Sequence, residues 1–134
     1  MRSETRSYDT SGSRFTDITR DLAHFVGGQP RDGLVNAFVP HATAGLALME
    51  TGSGSERDLE GALDRLLPRD ARYVHSHGSP GHGADHLLPA FLAPSLTIPV
   101  VSGEMALGVW QSVVLVDLNR DNPRREVLFS MLAG

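Results

Sequence analysis

The chain contains no cysteine and no lysine. The first absence removes disulfides, thiolate nucleophiles and Cys-type zinc or iron–sulfur sites together. The second removes Schiff-base chemistry and a Walker lysine, since every basic residue is an arginine. Positive charge is not in surplus either. The formal net charge is −4 and the pI is near 5.8, and no run of arginines forms a patch, so there is no footprint for nucleic acid. No stretch reaches the roughly 18 apolar residues that a membrane helix needs. The opening Met1-Arg-Ser-Glu-Thr-Arg-Ser7 has no apolar signal region. These absences point to a cytoplasmic protein with neither nucleic acid nor membrane as partner.

What is present is ordinary in amount. With 134 residues, 40% hydrophobic and 21% charged, the chain reads as one domain over residues 1–134. Such a domain buries roughly two-thirds of its unfolded surface.

Taken in order, residues 2–8 alternate weakly and read as an edge strand. Arg14–Thr19 reads as its hairpin partner across Asp9–Ser13. Thr16–Thr19 then offers helix-start residues for a segment with Leu22, Phe25 and Val26 on one face, closed by Gly27-Gly28. Gly33–Val39 is an apolar strand ending at Pro40, and Gly45–Met49 starts another. After the Thr51–Ser55 turn, the spacing of Leu59, Ala62, Leu63, Leu66 and Leu67 predicts an amphipathic helix over residues 56–67, stopped by Pro68. Asp85 is expected to cap a further short helix, with His86 in its first turn and Pro89 limiting its length. The rest is β-type: 95–101 with Pro99 marking an edge or bulge, a long strand over 107–118, and a closing strand over 126–132.

The chemistry gathers around Phe38-Val-Pro-His-Ala-Thr-Ala-Gly-Leu46, where His41 and Thr43 sit at the seam of two apolar strands. With a side-chain period of two they point the same way. A buried polar pair there must find partners, because an unpaired group costs roughly 1–3 kcal/mol. Four of the six histidines lie in residues 70–86, a loop rich in glycine. His41, His75 and His86 arrive from three separate elements, which is how three-imidazole metal sites with one open position are assembled. His77 and His82, flanked by Gly and Ser or by Gly alone, read as solvated loop residues, and His24 as a surface or interface histidine. Asp58, at the edge of the apolar face in the first turn of its helix, suits either the macrodipole or the orientation of an imidazole. Gln111 reads as a polar group inside a mostly buried strand. A metal-free alternative uses one histidine as general base with Asp58 or Glu50 fixing its tautomer. A serine hydrolase is disfavoured, because no Gly-x-Ser-x-Gly elbow exists.

Several segments, taken together, resemble the YjbQ-like family of secondary thiamine-phosphate synthases. They are Phe38–Leu46 with Glu50, Arg57-Asp-Leu59, Tyr73-Val-His75, Ala84-Asp-His-Leu87, Pro94–Val100, Gly103, Leu107-Gly-Val-Trp-Gln111 and Pro123-Arg-Arg125. The resemblance implies an α+β domain with a β-sandwich core of mixed or antiparallel strands and a few short helices. It also implies a homotrimer with a site near the subunit boundary. In such relatives three histidines hold a divalent metal, zinc in some, and the matching positions here are His41, His75 and His86. Asp58, Glu50 and Gln111 match polar positions of the same pocket and are the candidate catalytic groups, with Thr43 and Gln111 as candidate substrate contacts. The implied reaction joins a pyrimidine diphosphate to a thiazole phosphate and releases pyrophosphate, which makes the expected substrate a small phosphorylated molecule. The alternative is a non-catalytic trimer that sequesters a metal or small molecule. Ala42, Val109 and the Gly- and His-rich loop between His75 and His86 depart from the family pattern, the loop bearing on substrate choice more than on metal binding.

Overall fold

In the computed structural model, which describes residues 1–134, strand β7 (Ser112–Asp117) explains the layering of the molecule. Val113, Val114, Leu115 and Val116 are all buried, although neighbouring side chains on a strand point to opposite faces. Both faces of β7 are therefore covered. Val113 and Leu115 enter a core of 16 residues that includes Val35, Ile98, Val127 and Phe129. Val114 and Val116 enter a second core of seven residues, with Leu63, Leu67, Ala84 and Leu88. Each such side chain, fully buried, stabilises by roughly 1.5–3 kcal/mol.

The first core lies between two antiparallel sheets. One has five strands in the order β1 (Arg2–Asp9), β8 (Arg124–Ala133), β3 (Gly33–Phe38), β5 (Ser95–Val101), β6 (Glu104–Met105). The other has three, β2 (Phe15–Asp17), β7 and β4 (Ala44–Met49). Helix α1 (Thr19–Val26) closes one end of this core with Leu22, Phe25 and Val26. Gly27, at a φ of 83°, ends it in a left-handed cap, as its sequence suggests. The second core lies between the outer face of the three-stranded sheet and a helical layer of α2 (Ser55–Leu66), α3 (His82–Asp85) and α4 (Leu88–Phe91). The architecture is α+β: an antiparallel sandwich with short helices over one face. No helix is long and apolar enough to cross a membrane.

Three local expectations are corrected. Strands β1 and β2 do not form a hairpin: β1 pairs with β8 from Arg2 opposite Met131 to Asp9 opposite Arg124, while β2 pairs with β7 in the other sheet. The Asp9–Ser13 segment is thus a crossover between layers. The expected long strand over 107–118 begins only at Ser112, because Gly108 and Gln111 close a turn through the Gln111 N–H to Gly108 carbonyl bond of 3.0 Å. Asp85 ends α3 instead of capping a helix, and His86 follows it as the C-terminal cap. Pro99 behaves as an edge residue, since β6 pairs only with Val100 and Val101.

Candidate metal centre

The Gly- and His-rich segment wraps around α3 and brings imidazoles together. His82 and His86 are four residues apart, a spacing that stacks them on one side of a helical turn. Their Nε2 atoms are 2.9 Å from one another. The His75 ring lies across from them, with its centroid 4.1 Å from that of His86 and 5.5 Å from that of His82. One ring nitrogen from each of the three falls within 4.8 Å of the others. His77 stands beside the group, 4.0 Å from His75 between ring centroids.

The electrostatics favour neutral rings at His75 and His86. Burial, then the proximity of His77 and His82, pushes the His75 pKa below its usual range. Burial, then His75 and His82, does the same to His86. A neutral imidazole with a free lone pair is the form that ligates metal. His75 Nε2 and His82 Nδ1 are buried without a hydrogen-bond partner, an uncommon state for polar atoms in a folded chain. Asp121 Oδ2 lies 3.1 Å from His82 Nδ1, close enough for charge–dipole attraction but off the line of a hydrogen bond.

The scaffold beneath is rigid. Asp85, with no exposed surface, accepts both arms of the Arg69 guanidinium, and this pair fixes α3 against the end of α2. Tyr73 O–H donates to the Pro68 carbonyl at 2.6 Å, which anchors the entry to the loop. Gly83 is needed for close approach: a Cβ there would lie 2.6 Å from the His75 carbonyl oxygen. A cavity of about 350 Å³ opens beside the rings, lined by Tyr73, His75, His77, Ser79 and the loop glycines. That volume lies at the small end of ligand pockets.

Of the three histidines expected to share an ion, the structure brings together His75 and His86. His41 is not in the group within this chain. Its Nε2 accepts the Glu126 N–H at 3.0 Å, which leaves only Nδ1 for another partner. Burial, followed by the nearby Arg125 charge, lowers its pKa. Thr43 is buried, and its hydroxyl accepts from Arg125 at 2.8 Å and from Asn119 at 3.2 Å. Arg125 is forked onto buried Asp117 through contacts of 2.6 and 3.1 Å, so these residues form a closed polar network. Glu50 and Asp58 are exposed and bond no imidazole, and Gln111 is exposed with its Oε1 accepting the Gly108 N–H at 2.8 Å. The carboxylate next to the rings is that of Asp121. His82, expected as a solvated loop residue, is instead buried against these rings. The signal was its four-residue spacing from His86, obscured by flanking glycines that read as open loop.

A family model described as UPF0047 protein YjbQ-like matches residues 4–134. A UPF0047 protein of Mycobacterium tuberculosis is 58% identical over 134 residues, covering all of both chains. A UPF0047 protein of Methanothermobacter thermautotrophicus is 36% identical over 105 residues, 78% of this chain and 71% of its own. Among solved structures, a hypothetical protein from Aeropyrum pernix superposes with a TM-score of 0.88 at 26% identity, covering 100% of both chains. A conserved hypothetical protein from Thermus thermophilus does so with 0.81 at 31% identity, over 96% of this chain and 99% of its own.

Proposed function

Since the chain belongs to the UPF0047 family of YjbQ-like proteins, we propose that it is a metal-assisted enzyme acting on a small phosphorylated molecule. The ion is held by His75, His82 and His86. The observation that carries this reading is the convergence of three ring nitrogens within 4.8 Å, with His75 Nε2 buried and without a hydrogen bond. The donor set fits the group. Three imidazoles and no thiolate suit zinc or a similar divalent ion, with a position left for substrate or water.

When bound, such an ion acts as a Lewis acid toward a phosphoryl oxygen or water. The chain supplies the rest. Arg69 and Arg72 are engaged by Asp85 and Asp70, so no unpaired arginine of this loop offers itself to a phosphate. Charge on the substrate is therefore met by the ion, and the cavity beside His75 and His77 holds the remainder of the molecule. Coupling of a pyrimidine diphosphate to a thiazole phosphate, with release of pyrophosphate, is the first reaction to assay.

Assembly as a homotrimer belongs to the same reading. The outer face of the five-stranded sheet carries no helix and exposes Leu34, Phe38, Leu128 and Leu132, with Leu34 opposite Leu132 and Phe38 opposite Leu128. A neighbouring copy would cover that face, where His41 and Glu126 also lie.

The test is zinc stoichiometry per chain for wild type and for His75→Ala, His82→Ala and His86→Ala. Each substitution should abolish tight binding, and unchanged stoichiometry in all three removes the proposal. Turnover of phosphorylated substrates under saturating zinc then separates an enzyme from a trimer that only sequesters its ligand.

A further inference from the structure

The two nitrogens of the His82 ring face different groups. Nε2 meets His86 Nε2 at 2.9 Å, while Nδ1 faces Asp121 Oδ2 at 3.1 Å. Asp121 comes from the turn after β7, far from α3 in the chain, and is itself held on two sides. Its Oδ2 accepts the Ser79 N–H at 3.1 Å, and its own N–H donates to Asn119 Oδ1 at 3.0 Å. Asn119 is buried, and its Nδ2 donates to Thr43 Oγ1 at 3.2 Å. A continuous path therefore runs from the strand junction at Thr43, through Asn119 and Asp121, to His82.

We propose that Asp121 is a positioning residue of the histidine site, presenting His82 Nε2 to the bound ion, and that Asn119 and Thr43 hold its turn in place. This rests on the reading of His75, His82 and His86 as the ligands. A neutral imidazole carries its proton on either nitrogen, and a carboxylate beside Nδ1 favours the proton there, leaving the Nε2 lone pair for the metal. The charge of the same carboxylate beside Nδ1 raises the basicity of the ligand. Asp85 cannot serve in this way, because its oxygens are taken by Arg69. The Thr43 hydroxyl is then not a substrate contact but the far anchor of a metal ligand's support.

The experiment measures zinc affinity of the full-length protein by competition with a chromophoric chelator, together with the visible spectrum of the cobalt-loaded protein. Asp121→Asn keeps the size of the side chain and removes its charge, and Asp121→Ala removes both. Each should weaken zinc binding by about 10–100-fold, with a shifted cobalt spectrum and a metal-free melting temperature close to wild type. Asn119→Ala should weaken it in the same direction by less. His82→Ala is the reference for loss of a ligand. If His82→Ala abolishes binding while Asp121→Asn binds zinc within twofold of wild type, the positioning role is refuted and the metal site stands. Should His82→Ala bind as wild type does, His82 is not a ligand, and the positioning role falls together with the assignment of the ion to these three rings.

Discussion

Arg69 reaches across to Asp85 and closes both guanidinium arms on a carboxylate that has no exposed surface, whereas its own side chain retains 17% exposure. The two members of the pair are therefore unequal. Removing the arginine strands a fully buried charge, while neutralising the aspartate leaves a cation that water can still reach. Arg69→Met is expected to cost about 3–5 kcal/mol, the range for breaking a buried pair, and Asp85→Asn distinctly less. Urea denaturation with a chelator present checks the order, and the reverse order would show that the pair does not anchor α3 through Asp85.

Much of this arrangement could be read from the residues alone, for local reasons. The 3.6-residue spacing of Leu59, Leu63 and Leu67 marked α2, and Leu63 and Leu67 are indeed buried. Leu66, on the same expected face, is 52% exposed, because only one flank of α2 meets the sheet. The alternation in β8 was legible too, since Val127, Phe129 and Met131 face the core. Non-local pairing was not. The Ser- and Gly-rich segment after Asp9 has the chemistry of a hairpin turn, and nothing near it reveals that the partner of β1 lies at the other end of the chain. Leu107-Gly-Val-Trp110 looked like strand because it is apolar, yet Val109 and Trp110 are among the most exposed side chains. The grouping of His75 with His86 was legible as chemistry. The place of His82 depended on a one-turn helix too short to leave a periodic trace.

The titration of the partly buried rings gives a prediction with a definite sign. Burial lowers the pKa of His41, His75 and His86 below the usual 6.5, with Arg125 adding to it at His41 and neighbouring imidazoles at the other two. In the unfolded chain these rings take up protons near 6.5, while the folded chain resists, so the unfolded state binds more protons as the pH falls. The stability they contribute is present above that pH and is lost as the pH drops through the lower folded values. With a chelator present, the melting temperature should fall between about pH 7 and pH 5. The drop should shrink in His86→Gln, whose side chain does not titrate. An equal drop in the variant would assign the effect to carboxylates elsewhere.

Gly78 lies where loop, ligand and carboxylate meet. Its φ of 83° is one that side chains rarely adopt, and a Cβ there would stand 2.7 Å from the His82 ring and 2.9 Å from Asp121 Oδ2. His82 is packed in α3, and the Asp121 carboxylate, though open to solvent, is tied to Ser79 while its backbone N–H is tied to Asn119. Gly78→Ala therefore meets a backbone cost of about 1–2 kcal/mol and must also move the ring or the carboxylate. Gly12→Ala is the matched control, because nothing lies within 4 Å of a Cβ at that position and its φ is not positive. Zinc affinity and urea stability measured side by side should show Gly12→Ala within about 0.5 kcal/mol of wild type. Gly78→Ala should lose both stability and affinity. If it loses stability alone and binds zinc as tightly as wild type, the loop shapes the fold without holding His82 in register.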